Sequence, residues 1–500
     1  MQRTLLLIVM LFGLFVAFGK DAAAQTPQSS PADKAHSEVN ALGPGAAKSH
    51  DTPSAAAGGE VEALRQRVEE LERQNRAMAQ TLSEVQSKLE SMNRPGTASA
   101  AEPAATVSPS VTPPQASAQS SQKDEGGNVR WSEIIGEGNK IKLYGFLRLD
   151  MIFDSQQPNN FQSILFIKSP DPRAGGNQNG DFTMHPRLTR LGLDWSGPRI
   201  ARLGGAKLSG KLETDFQNGG TESRQIIRIR HAYLNLGWKE FSILAGQTWD
   251  VVSPLFPTVN SDTLQWNAGN IGDRRPQLRI AYEPKAGEGK FSFVGGVGLT
   301  GAIDSLDLDA NGVRDGEESG RPNVQARVGF SHPLGAKERV ASFGVSGLYG
   351  FMKTARPVAG RTEFRSQVVN VDFTLPVANR LAFKGEGWWG RNMSDFRGGA
   401  GQGVNAANGR AIRSRGGWGE ANIKFSRYFS MNPGFSTDDP VDADVPSGGR
   451  TRNRSFYIAN RITPGGNFLV GADYLRWKTN FKGFLSGIDN RVNIFLQYGF

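Results

Sequence analysis

From residue 142 to residue 500 the chain repeats one pattern, stretches of about ten residues in which apolar and polar side chains alternate. At 142–153, Leu143, Gly145, Leu147, Leu149, Met151 and Phe153 alternate with Lys142, Tyr144, Phe146, Arg148 and Asp150. At 490–500, Val492, Ile494, Leu496, Tyr498 and Phe500 fall on one face. A period of two belongs to a β-strand with one dry face and one wet face. Further segments lie near 186–196, 206–216, 225–237, 240–249, 277–283, 290–302, 323–332, 339–350, 364–375, 380–391, 415–425, 427–435, 453–462 and 467–478, sixteen in all. Two are irregular. Between Ile226 and Trp238, Arg228 and Arg230 share parity with Leu234 and Leu236, so either a bulge near His231 swaps the faces or the boundary lies elsewhere. The segment 427–435 alternates least clearly.

The connections decide which all-β architecture this is. Trp238 to Glu240, His332 to Lys337, Pro376 to Asn379 and Thr463 to Gly466 are tight, whereas 154–185, 250–276, 303–322, 392–414 and 436–452 are long and rich in Gly, Asp and Asn. Short turns at one end and long loops at the other are the rhythm of a transmembrane antiparallel β-barrel of about 16 strands. An even count returns both ends of the barrel to the short-turn side.

The N-terminus agrees with a membrane destination. Arg3 precedes an apolar run from Leu5 to Phe18, and Ala22-Ala23-Ala24 supplies a cleavage site before Gln25, so residues 1–24 are expected to be a secretory signal peptide. No later run reaches the roughly 18 apolar residues of a membrane helix, which leaves a closed barrel as the only way to satisfy the backbone in lipid. The hydrophobic content of 38% and the 61 glycines suit a wall whose polar lumen face offsets its apolar outer face. The chain has no cysteine, so disulfides play no part. The formal charge is +10; export separates it from nucleic acid, so no nucleic-acid partner is expected, and lipid and small anions are left.

Residues 25–58 mix Ala, Ser, Pro and Gly with isolated charges and are expected to be disordered. A heptad seam follows within 59–94, with Val61, Val68, Asn75, Leu82 and Leu89 at a and Leu64, Leu71, Met78, Val85 and Met92 at d. The alternative is a single helix lying on its own barrel, but a strict 3.5 period is what supercoiling demands, so a coiled coil and a homo-oligomer are expected. Val at a with Leu at d favours two strands, while barrels of this kind are more often trimers, and the seam leaves the copy number open. Residues 95–140 form a linker, and 141–500 the barrel.

An apolar outer face sends Arg148, Asp150, Arg190, Asp194, Lys211, Glu213, Asp215, Arg228 and Arg230 into the lumen, because an Arg on the lipid face at the midplane costs about 2–4 kcal/mol. The connection from Asp250 to Pro276 carries Phe256, Trp266, Arg274 and Arg275, follows Trp249 and precedes Arg279. Folded inward, it would narrow the pore and present guanidinium groups. Two readings of these arginines stand side by side: they attract anions, or they pair with Asp and Glu and stiffen the wall.

A second motif lies outside the wall. Asp307-Leu308-Asp309-Ala310-Asn311-Gly312-Val313-Arg314-Asp315-Gly316-Glu317-Glu318 fits D-x-[DN]-x-[DN]-G-x5-E in full. Asp307, Asp309, Asn311, Glu318, the Val313 carbonyl and Asp315 would form an oxygen cage for calcium, with strands standing in for the usual flanking helices. No other cofactor is required. His36, His50, His185, His231 and His332 show no catalytic or metal-binding spacing, and catalytic motifs such as G-x-S-x-G are absent, so no enzyme activity is expected.

The signal peptide, the heptad seam, L-Y-G-F-L-R-L-D-M-I-F-D at 143–154, R-H-A-Y-L-N-L-G at 230–237 and F-S-I-L-A-G-Q-T-W-D at 241–250 together resemble the DcaP-like outer-membrane porins. The resemblance implies a trimer of sixteen-stranded barrels in the outer membrane of a Gram-negative cell, with the coiled coil in the periplasm. It also implies passive uptake of small anions such as dicarboxylates, held by arginines of the lumen and the inward loop; no family motif singles out individual residues, and the facing direction read above makes Arg148, Arg190, Arg228, Arg230, Arg274, Arg275 and Arg279 the candidates. Tyr498 and Phe500 would be the insertion signal for the outer-membrane assembly machinery. The alternatives are an outer-membrane hydrolase with a plugged barrel, and a structural tether or adhesin that works through the coiled coil.

Overall fold

The computed structural model describes Arg73 and residues 138–176, 179–217, 226–259 and 264–500. The signal peptide, the segment 25–58 and all of the heptad seam lie outside the described residues; Arg73 is helical. The chain divides into a unit of Met1–Ser121 and a unit of Gln122–Phe500, and every described strand belongs to the second.

The strands are β1 (Lys140–Asp154), β2 (Asp181–His185), β3 (Arg190–Ile200), β4 (Ala206–Asp215), β5 (Arg228–Gly237), β6 (Phe241–Trp249), β7 (Arg274–Tyr282), β8 (Lys285–Ala286), β9 (Gly289–Gly298), β10 (Asn323–Leu334), β11 (Ala336–Val358), β12 (Arg361–Ala378), β13 (Leu381–Arg391), β14 (Val404–Asn405), β15 (Arg410–Ala411), β16 (Arg413–Lys424), β17 (Phe429–Pro440), β18 (Arg450–Gly465), β19 (Phe468–Phe481) and β20 (Gly487–Gly499). Each wall strand pairs antiparallel with its neighbour in the chain. The ring closes where β20 meets β1, from Phe146 opposite Gly499 to Asp154 opposite Arg491. Both β2 and β3 pair with β1, β2 opposite Asp150–Asp154 and β3 opposite Lys140–Phe146, so they are two halves of one broken wall strand. β8 forms the tip of the β7–β9 hairpin, and β14–β15 is a separate two-stranded ribbon. Sixteen strands therefore go round, as the alternation predicts, and the uncertain segment 427–435 forms β17.

Several boundaries move. Residues 181–185 belong to the wall, not to the connection 154–185; the connection 436–452 shrinks to 441–449; and Arg274, Arg275 and Pro276 open β7. The β11–β12 hairpin is longer than its period-two core because it continues past the apolar band. At Glu213/Thr214 the β4–β5 register shifts, with Glu213 opposite His231 and Thr214 opposite Ile229. Arg230 is the extra residue, so the parity clash in the sequence is a β-bulge.

The outer face is apolar and exposed, including Leu147, Leu234, Ile280, Val328, Val345, Val369 and Ile494. The buried clusters lie inward, where loops meet the wall. One joins Ile164, Ile167, Val259 and Ala268 to Tyr457, Leu475 and Trp477; another joins Val252, Ile271, Met393 and Phe396 to Leu348, Val368 and Trp388. An inside-out arrangement of this kind matches a wall with hydrocarbon outside, where the hydrophobic contacts within come from loops.

Candidate functional site

The connection between β6 and β7 folds into the barrel and crosses to the far wall. Its backbone is held by inward side chains of later strands. The Val252 carbonyl accepts from Asn370 Nδ2 at 2.8 Å and Ser346 Oγ at 2.6 Å. Leu255 N–H donates to Glu386 at 2.8 Å, and the Ser253 hydroxyl donates to the same carboxylate. Thr258 N–H donates to Glu420 at 2.7 Å, and Lys384 Nζ donates to the Phe256 carbonyl at 2.7 Å. Arg461 reaches the Thr258 carbonyl at 2.6 Å, Trp388 Nε1 the Gly269 carbonyl at 2.8 Å, and Asn453 Nδ2 the Asn267 carbonyl at 2.7 Å. A loop has no sheet partner for its polar groups, so the wall supplies them. Gly269 lies so close to β16 that a Cβ there would stand 2.3 Å from the Gly417 carbonyl oxygen.

Glu386, Glu420, Asn370, Lys384 and Arg461 are the functional residues that the sequence did not single out. Each sits on the wet parity of its strand, but its partner lies more than a hundred residues away in the chain.

The arginines expected to face the lumen gather on β1, β3, β5 and β7 with carboxylates among them. Arg148 pairs with Asp150 at 2.7 Å and stacks 3.6 Å above the Phe495 ring. Arg228 meets Asp215 at 2.6 Å, and Arg230 bridges Glu213 at 2.7 Å and Asp215 at 2.9 Å. Arg190 Nε stands 3.5 Å from Glu213 and forms no hydrogen bond with it. Arg274 contacts Asp273 at 3.5 Å and lies 4.5 Å above the Trp249 ring, while Arg397 shares Asp273 at 2.8 Å and stacks on Trp266. Arg279 donates to the Trp249 carbonyl and to Gln277 Oε1.

Arg275 is a correction. It is fully buried between Asp250 at 2.7 Å and Asp395 at 2.8 Å and ties the inward loop to the 392–412 connection, so it is a rivet and not a pore-lining group. The other six stay together on one side of the interior.

The patch has more cations than counter-charges. Arg190, Arg228 and Arg230 share Glu213 and Asp215, while Arg274 and Arg397 share Asp273. Buried N–H groups at Arg190 Nε and Arg274 Nη1 find no acceptor among the described residues. Five guanidinium groups over three carboxylates leave this side of the interior with an excess of positive charge.

The 307–318 loop lies on the long-loop side. One carboxylate oxygen from each of Asp307, Asp309 and Asp315 falls within 4.8 Å of the others. Asp307 accepts the Asn311 and Gly312 N–H groups at 3.0 and 2.8 Å, and a helical turn, Asp315–Glu318, leaves the loop where only strands were expected. Asn311 Nδ2 points at Glu318, 3.1 Å away. The Asp309 side chain is 3% exposed, and its Oδ1 is sealed from solvent without a donor among the described residues. Burial, with Asp307, Asp309 and Glu318 close by, pushes the Asp315 carboxyl up to about 7. Asp307, Asp309 and Asp315 converge; Glu318 stands outside that group against the Asn311 amide nitrogen, and Asn311 Oδ1 accepts the Val313 N–H at 2.7 Å.

No protein-family model matches the sequence, and no curated protein matches it. Solved structures do. The outer membrane channel DcaP of Acinetobacter baumannii superposes with a TM-score of 0.59 at 20% identity, over 73% of this chain and 98% of that one. The anion-selective porin from Comamonas acidovorans gives 0.46 at 13% identity, over 72% and 100%. The trimer form of OmpT from Vibrio cholerae gives 0.46 at 13% identity, over 73% and 100%. The first of these shows that the fold is the sixteen-stranded barrel of the DcaP channel.

Proposed function

We propose that the protein is an outer-membrane porin that lets small anions, dicarboxylates among them, diffuse passively into a Gram-negative cell. The apolar outer face and the fold shared with a protein described as an outer membrane channel support the membrane placement. The observation that carries the anion preference is the carboxylate deficit around Arg190, Arg228, Arg230, Arg274 and Arg397. Across the lumen, Glu386 and Glu420 are occupied in holding the loop backbone. On the near side guanidinium groups outnumber carboxylates, and in this reading that side draws the anion. Binding stays weak because each guanidinium keeps a protein partner or an aromatic shelf, which draws an anion in without trapping it.

In this reading the chain works as a homotrimer assembled by the outer-membrane machinery, with residues 59–94 as a periplasmic coiled coil. Reversal potentials in planar bilayers under a salt gradient test the anion preference, and competition of dicarboxylates with chloride current tests the solute class. Cation preference would overturn the proposal; conductance without turnover of lipid or peptide separates it from a plugged hydrolase. Deleting 59–94 is expected to leave conductance intact and to lower the oligomeric state in detergent.

In the same reading calcium occupies the 307–318 loop, supported by the three converging carboxylates and the donorless Asp309 oxygen. Sites with this ligand set on extracellular modules bind at about 10⁻⁴–10⁻³ M. Calorimetric titration of the EDTA-treated chain should give one site per chain, lost in Glu318→Gln. No saturable heat in the wild type would overturn it.

A further inference from the structure

The lipid-facing parity is apolar through the middle of the wall and then becomes basic near the loop end, on one half of the barrel only. On β11, β13, β18 and β19 an exposed or half-exposed cation stands two residues beyond an aromatic on the same outward face: Lys353 beyond Phe351, Arg391 beyond Trp389, Arg454 beyond Phe456 and Arg476 beyond Tyr474. Two residues of strand rise about 7 Å, so a row of cations sits one step above a row of rings. On the other half, outward positions near the loop end are apolar: Phe153, Phe182, Met184, Ile229 and Val297.

Within the row, like charges lie opposite one another. Arg391 is the cross-strand partner of Arg413, and Arg454 that of Lys478. Directly opposed like charges destabilise a sheet. Some of the row is neutralised: Arg413 pairs with Asp444, and Arg415 and Arg452 share Asp439. On β12, Glu363 stands opposite Lys353 and pairs with Arg365, whereas Arg391, Arg454 and Lys478 form no ion pair among the described residues. The row is also level. Arg454 lies opposite Thr437, Thr437 opposite Gly417 and Gly417 opposite Gly387, four residues from Arg391 and three strands away. A stagger of that sense and size is what strand tilt imposes on a line parallel to the membrane.

We propose that this row docks the phosphate groups of outer-leaflet lipid, with the acyl chains against the aromatic row beneath. The partner is a lipid and not free phosphate because the cations share their face with hydrocarbon-facing rings on the same strands. An anion bridging Arg454 with Lys478 turns a repulsive pair into charge-assisted hydrogen bonds, and another meets Arg391 beside the Asp444-paired Arg413. The inference rests on the membrane placement proposed for the barrel but is independent of anion permeation, since none of these side chains faces the lumen.

The test uses the purified full-length chain in non-ionic detergent and native mass spectrometry with bisphosphorylated lipid A, the same lipid with both phosphates removed, and inorganic phosphate. The expected result is retention of lipid A, weakened about tenfold or more on removing its phosphates and by the same order in the variant Arg391→Gln/Arg413→Gln/Arg454→Gln/Lys478→Gln. Channel conductance of that variant should equal wild type, which also shows that it folds. Equal binding of the dephosphorylated lipid, undiminished binding by a conducting variant, or saturable binding of inorganic phosphate with no gain for the lipid would each overturn the proposal and leave the porin reading standing. A chain that stays soluble and monomeric without detergent would overturn both.

Discussion

At the scale of single residues, the interior arginines divide by what surrounds them. Arg230 is buried and carries two carboxylates, so Arg230→Ala leaves Glu213 and Asp215 without their shared partner. Asp215 still holds Arg228, and Glu213 still has Arg190 and the Tyr144 hydroxyl, so the loss is that of hydrogen bonds to charged groups, about 1.5–3 kcal/mol in denaturant unfolding in detergent. Arg190 keeps an N–H without an acceptor among the described residues, makes a long contact with Glu213 and lies 5.0 Å above the Phe146 ring. Arg190→Gln should leave stability nearly unchanged and shift the reversal potential towards cations. One unit charge at 4 Å in water is worth about 1 kcal/mol to each ion with opposite sign, so the anion-to-cation permeability ratio should change by up to about 2 kcal/mol, roughly thirtyfold. Inward facing was legible from parity for Arg148 and Arg190, was clouded for Arg228 and Arg230 by the bulge, and could not follow from parity for both of the adjacent Arg274 and Arg275. Arg275 shows where parity stops: it faces in, but Asp250 and Asp395 enclose it, and neither contact has a local signature.

Among elements, the inward loop shows the same division. Its length and its Trp249, Phe256 and Trp266 were enough to suggest an entry into the lumen; its footing on β11 to β18 was not, because those contacts join positions 94 to 203 residues apart. Glu420 is the busiest of them, accepting from Thr258 N–H, the Tyr457 hydroxyl at 3.0 Å and Lys384 at 3.2 Å. Glu420→Ala should cost about 1–3 kcal/mol by leaving buried donors unmatched. It should also raise single-channel conductance and the size of solute admitted as the loop leaves the wall. The bulge in β5 was legible as a clash of parity. The break between β2 and β3 was not, because a strand interrupted at 186–189 still alternates on either side.

At the scale of the whole molecule, strand number and closure follow from a periodicity that needs no long-range information, so both were readable. The outward basic row was missed, since charges near strand ends look like ordinary loop-proximal polarity until register aligns them across β11 to β19. Depth should decide the cost of a charge on this face. Val345, mid-strand on β11 and 43% exposed, is a test: Val345→Arg should lose about 2–4 kcal/mol of unfolding free energy in lipid, whereas exchanging Arg391 for Lys at the rim should be close to neutral.

The loop that narrows the interior belongs to the first half of the wall but stands on the second. Its footholds, from Ser346 to Arg461, are all made of chain that comes after it. A nascent sheet holding only the early strands would own the gate and lack the doorframe. Sieving therefore arrives late in the life of each molecule, together with the seam between β20 and β1, and an incompletely zipped intermediate would leak without discrimination.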